Sequence, residues 1–203
     1  MQNFKYLKSL FTVFNIILCC NGSLKESYST LQFGYRLYQR MIESYLNYSI
    51  LDCVEECLRT TRCQSVNYYK GANFCENNFE SNTTEPEMYR EDSGWIYTDI
   101  KNWDKGLTGS CSEQSCSINE KCIHQSLGNS KCVLSDCGIP TNMRNTTWNV
   151  KDGDGIGIYK EMHIKCHESY EQRGSGRLLC LEKGTWKSDL VCKGDSMVNT
   201  GNR

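Results

Sequence analysis

Fourteen cysteines in 203 residues, set against only two prolines, constrain this chain more than any other feature. Cys19 and Cys20 lie in an apolar N-terminal stretch. The other twelve fall into three consecutive quartets: Cys53, Cys57, Cys63 and Cys75; Cys111, Cys116, Cys122 and Cys132; Cys137, Cys166, Cys180 and Cys192. In an oxidising compartment an even number of cysteines implies disulfides. Small units bury too little of their surface to hold a core unaided, so they need such staples. The quartets predict three small cross-linked modules where length alone would allow one or two ordinary domains. Zinc is not supported, because no pair has CxxC spacing and the spacings do not repeat.

The N-terminus supplies that compartment. Lys5 and Lys8 precede an apolar run, Leu10 to Cys20, and small residues follow at Gly22 and Ser23. This is the pattern of a secretory signal peptide over residues 1–22, and the run is too short for a membrane span. Removing it leaves 21 basic and 24 acidic residues, a net charge of −3. That balance excludes a strongly basic nucleic-acid binder or a polybasic membrane protein. A mean hydropathy of −0.58 excludes a multi-span membrane protein. Residues 193–203 form a polar tail with no lipid-anchor signal. The expectation is a secreted, extracellular protein without a membrane span.

In the first module, Ser49 and Asp52 are placed as a helix cap, and Leu51, Val54 and Leu58 recur at helical spacing. Cys53 and Cys57 then share one helix face. Gln64 to Tyr69 alternates like a strand, Lys70 to Asn73 is a turn, Asn73 to Phe79 is a return strand carrying Cys75, and Trp95 to Thr98 is a late strand. One helix clamped to a small antiparallel sheet, with Cys53-x3-Cys57-x5-Cys63-Gln-Ser-Val-Asn-Tyr, Cys75 and Trp95–Tyr97, resembles the PAN/apple domain. The resemblance covers residues 28–100 and takes the shorter PAN form, since no mature cysteine precedes Cys53. It implies the pairs Cys53–Cys75 and Cys57–Cys63. Ile100 to Ser110, with its glycines, reads as a linker, placed at 101–110.

Cys111-x4-Cys116-x5-Cys122-x9-Cys132 resembles the first part of an EGF-like repeat, truncated to residues 111–136. That implies Cys111–Cys122 and Cys116–Cys132. A cross-linked connector of no family fits the same residues. Leu107 to Ser110 lacks the acidic ligands of calcium-binding EGF units. From Cys137-Gly-Ile-Pro140 to the ending Cys180-Leu-Glu-Lys-Gly-Thr-Trp186 and Cys192, residues 137–192 resemble a sushi (complement control protein, CCP) domain. The resemblance implies Cys137–Cys180 and Cys166–Cys192, with Trp186 buried between the staples. Leu190 and Ser169 depart from the family's usual proline and glycine without removing a cysteine. Closing the Cys137–Cys180 loop would contribute on the order of 4 kcal/mol in the chain-entropy model. The expected fold class is a small disulfide-rich multidomain protein: an α+β PAN module, a short EGF-like unit and an all-β sushi module.

Catalytic and metal chemistry finds little support. His163 and His167 flank Cys166, but a disulfide removes its thiolate and no third ligand is near, so both are expected on a strand surface. Asp152-Gly-Asp154-Gly155 begins like a calcium loop. Counting from Asp152, position six holds Gly157, but position twelve holds His163 where glutamate is needed. A glycine-rich hairpin tip fits better. GxSxG and HExxH are absent. No catalytic residue, metal ligand or cofactor is expected, and the protein is read as a non-enzyme. Asn47, Asn82 and Asn145 are glycosylation acceptors. Tyr68, Tyr69 and Trp95 are candidate ligand contacts, although the same rings would suit a β-rich core.

Together these features point to extracellular recognition or adhesion, with a protein or carbohydrate ligand held by the PAN and sushi modules. A structural matrix component is the alternative, and a complement-like regulator a third. One sushi copy argues against the last.

Overall fold

The computed structural model describes residues 30–141 and 144–194. The expected signal segment, residues 1–22, and nearly all of the polar tail lie outside the described residues. The first module is a five-stranded antiparallel sheet in the order β1-β5-β3-β4-β2. Its strands are β1 (Gln32–Leu37), β2 (Met41–Leu46), β3 (Ser65–Tyr69), β4 (Phe74–Asn78) and β5 (Tyr89–Asp99). Helix α1 (Ile50–Arg59) lies across one face and buries Cys53, Val54, Glu56 and Cys57. Its start is fixed by a reciprocal cap. Asp52 N–H donates to Ser49 Oγ at 3.2 Å, and Ser49 N–H donates to Asp52 Oδ2 at 2.9 Å. Two of the orphan donors at the helix end are thereby satisfied. Disulfides join Cys53 to Cys75 on β4 and Cys57 to Cys63 ahead of β3.

The strand alternation decides the core. Val66, Tyr68 and Ile96 face the helix and are buried with Val54, while Tyr69 and Trp95 stand on the opposite side. That opposite side is polar where the chain wraps over it. The Asn67 side chain accepts from Leu37 N–H at 2.9 Å and donates to Leu37 O at 2.8 Å, standing in for a strand neighbour.

Residues 101–110, read from the sequence as a linker, have regular local structure. They fold into 3-10 turns, with Trp103 and Thr108 buried. The indole N–H of Trp103 donates to Thr98 Oγ1 at 3.0 Å, so an aromatic ring within a glycine-rich stretch anchors it to the core of the first module. The middle segment is a hairpin of β6 (Glu120–His124) and β7 (Ser130–Leu134). Cys122 and Cys132 lie opposite each other in it, but each is bonded outside it, to Cys111 and Cys116.

The last module is all-β. Its strands are β8 (Thr146–Trp148), β9 (Glu161–Cys166), β10 (Tyr170–Arg173), β11 (Arg177–Cys180), β12 (Trp186–Ser188) and β13 (Val191–Gly194). They form a sheet in the order β12-β11-β9-β8 and a β10-β13 pair, stapled by Cys137–Cys180 and Cys166–Cys192. Ile156, Met162, Ile164 and Leu178 fill its core. Trp186 does not hold the centre expected of it. It is half-buried at the edge of this core, and its indole N–H donates to Gly138 O at 3.0 Å. Ile156, Met162, Ile164 and Leu178 take the centre, and Trp186 packs against them from the rim.

The glycine-rich Asp152 to Gly157 is not a free hairpin tip either. Ile156 N–H donates to Met41 O at 3.1 Å and Gly157 N–H to Ile42 O at 2.8 Å, so the segment docks on the open edge of β2. Ile156 is fully buried in one continuous cluster with Ile42. Lys160 adds contacts to Glu43 at 2.8 Å and to Ser44 Oγ at 3.1 Å.

Candidate recognition site

The docking of the last module on β2 leaves a cleft beside it. One wall belongs to the first module and comes from the β1–β2 turn and from the loop between β4 and β5. It presents Arg40, Phe79, Glu80 and Glu85. The other wall belongs to the last module and presents Ile139, Trp148 and Val150. The cleft measures about 450 Å³, a size suited to a small ligand or an inserted side chain. Trp148 is 46% exposed and Ile139 37% exposed, so apolar surface stays open inside a concave site. Arg40 pairs with Glu85 at 3.1 Å.

The candidate contact residues separate. Tyr68 is 6% exposed, and its hydroxyl donates to Asn73 Oδ1. It belongs to the core and cannot touch a ligand, because adjacent strand residues face opposite ways. Tyr69 and Trp95 do meet, with ring centroids 5.4 Å apart, and Phe74 meets Trp95 edge-on at 6.0 Å. The Arg36 guanidinium lies 4.0 Å above the Trp95 ring and also bonds Glu76. This cluster is therefore capped on one side by a cation.

Histidines form no constellation. His163 is only partly exposed and faces Asp154 at 2.8 Å, so it is not the surface strand residue expected. Buried Asp154 also accepts from the backbone N–H groups of Lys151 and His163, which is why the aspartate-glycine stretch is ordered from within. His167 is exposed, and His124 bonds Ser110 Oγ at 2.7 Å. Among the described residues, Cys116, Glu120 and Cys132 bring ligand atoms within 4.8 Å, but the two sulfurs are bonded to each other and offer no thiolate.

The acceptor asparagines occupy three settings. Asn47 is exposed with φ 61° directly before the α1 cap, and Asn145 is exposed with φ 64° in the turn before β8. Asn82 sits between the cleft residues Glu80 and Glu85. Its N–H donates to the Tyr97 hydroxyl at 2.8 Å, and burial raises the pKa of that phenol well above its ordinary value.

Sequence reasoning missed the residues that join the modules. Arg62 Nε donates to Asp136 Oδ1 at 2.9 Å, and the same guanidinium bonds Asn119. One side chain of the first module thus grips both ends of the middle hairpin, with Asp136 directly before Cys137. Thr61 N–H donates to Glu120 O, and Lys121 reaches Glu56 at 2.6 Å. Burial pushes the Glu56 carboxyl up, but Lys121 and Arg59 outweigh it and hold it below the usual carboxylate range. These partners lie far apart in sequence, and no local pattern marks them.

A helix stapled to a sheet, a cross-linked hairpin and a doubly stapled all-β unit define a disulfide-rich modular protein. The PAN domain family matches residues 28–103 and the sushi repeat (SCR repeat) family matches residues 137–192. The chain therefore carries a PAN domain followed by a sushi repeat, interaction domains typical of extracellular proteins. Residues 111–136 fall between the two matches. A mouse (Mus musculus) relative, the sushi, von Willebrand factor type A, EGF and pentraxin domain-containing protein 1, is 30% identical over 83 residues. That match spans 39% of this chain and 2% of the relative's length.

Proposed function

We propose that this is a secreted, non-enzymatic recognition or adhesion protein that holds a protein or carbohydrate ligand in the cleft between its PAN and sushi modules. The observation that carries the proposal is the open apolar wall of Trp148 and Ile139 facing a charged PAN wall in a concave site. Rigid small modules lose little freedom on binding, which favours this use. Tyr69 and Trp95 form a secondary contact patch in the same proposal. The middle hairpin, with its first-to-third and second-to-fourth bridges, serves as a truncated EGF-like spacer.

The test uses the full chain, secreted from a eukaryotic host, on arrays of extracellular glycans and on intact cells. Saturable binding that falls at least about tenfold in Trp148→Ala supports the proposal. Insoluble deposition without a saturable ligand would favour the matrix component. Glycan attachment at Asn47, Asn82 and Asn145, and cleavage near residue 22, are read from the same material by intact mass before and after enzymatic deglycosylation.

A further inference from the structure

Resting on the cleft as the recognition site, we infer that its occupant is a basic side chain, a lysine or arginine presented by a partner protein. The aliphatic stem lies on Trp148 and its neighbours, and the charge meets Glu80. The two walls differ in how their charges are balanced. Arg40 is neutralised by Glu85 at 3.1 Å and donates again to Gln39 O at 2.9 Å. Glu80 has no such balance: its carboxylate makes no ion pair or hydrogen bond among the described residues. Its main chain is held, since Glu80 O accepts from Ser65 Oγ at 2.7 Å, so the carboxylate is presented from a fixed backbone. The cleft thus carries one uncompensated negative charge beside an apolar surface.

That combination selects among ligand chemistries. An anion is repelled by Glu80. A neutral apolar group would strip water from the carboxylate and give nothing back. A cation on an aliphatic stem satisfies both walls, and the partly dehydrated cleft strengthens the charge contact relative to open surface. Trp148 adds the electron-rich face of an indole, the best aromatic partner for an ammonium or guanidinium group. Its strand β8 is the edge of the four-stranded sheet, which leaves the ring's approach open on the cleft side.

The experiment titrates the full mature chain with Nα-acetyl-lysine methylamide and, in parallel, with the neutral Nα-acetyl-norleucine methylamide. Indole resonances are followed by NMR, with Trp148→Phe used to assign the signal. The lysine probe is expected to shift the Trp148 resonance saturably, at least about tenfold more tightly than norleucine. Its affinity should fall when salt is raised from about 0.05 to about 0.5 M. Glu80→Gln should cost the lysine probe at least about tenfold and leave the norleucine probe unchanged. Equal binding of the two probes, or an unchanged lysine affinity in Glu80→Gln, overturns the inference. If Glu80→Gln is silent while Trp148→Ala abolishes binding on glycan arrays or cells, the cleft stands and its occupant is not a cation. If Trp148→Ala changes neither, the cleft itself is wrong.

Discussion

At the residue scale, Asn67 shows how a polar side chain can be structural. It is fully buried on β3, yet it satisfies both backbone groups of Leu37 and donates to Glu76 at 3.0 Å. Asn67→Leu keeps the branched shape but strands those groups away from water. The expected loss is about 2–4 kcal/mol, read from the denaturant midpoint with disulfides intact. Glu56 makes a different prediction. Its carboxyl is held below the ordinary 4.5 despite burial, because Lys121 and Arg59 face it. A carboxylate lowered by folding stabilises the native state fully above its unfolded value, and the contribution disappears as pH falls through 4.5 toward the folded value. Glu56→Gln should therefore lower stability at neutral pH and flatten the acid limb below pH 4.5. An acid limb as steep as that of the parent protein would show that the pair is not coupled to folding.

At the element scale, the docking of Gly155–Gly157 on β2 depends on the absence of side chains. A Cβ at Gly157 would lie 2.7 Å from Ile42 O, and one at Gly155 2.8 Å from the same atom. The obstacle in both cases is backbone, which cannot rotate aside. Gly157→Val should break the two hydrogen bonds to β2 and expose Ile156. Hydrogen exchange is expected to show lost protection of the Ile156 and Gly157 amides, with the rest of the PAN sheet retained. Helix α1 and β3 were legible in the sequence because their signals are local: a cap, a cysteine pair four apart, an alternating run. By contrast, β1 and β2 are hidden by a bulge at Gly34 and a left-handed Gln39 that interrupt the alternation. The glycines of 153–157 look the same whether they form an exposed turn or admit a neighbouring strand. The cleft was illegible for a related reason: its walls come from two modules, and nothing near Trp148 in sequence announces Glu80.

At the scale of the whole molecule, three cysteine quartets imply three independent units, but the packing joins them. Ile42 and Ile156 share one core across the PAN and sushi modules. Arg62 ties the PAN module to Asn119 just ahead of the hairpin and to Asp136, the residue that hands the middle segment on to the sushi module. Asp136 is fully buried, and its Oδ1 also accepts from Gly138 N–H at 2.8 Å. Removing the guanidinium would leave a desolvated carboxylate with its charge unpaired, held only by that backbone donor and by the Ser135 hydroxyl at 2.7 Å. Arg62→Ala should thus cost about 3 kcal/mol, more than a surface ion pair could. The more telling readout is cooperativity. With disulfides intact, the parent protein should unfold calorimetrically in a single transition whose calorimetric and van't Hoff enthalpies agree. Arg62→Ala should separate the sushi transition from that of the PAN module, and lysine-probe binding in the cleft should weaken in parallel, since the cleft exists only while its two walls are held together. Two transitions already present in the parent protein would show that the modules fold apart and meet only loosely.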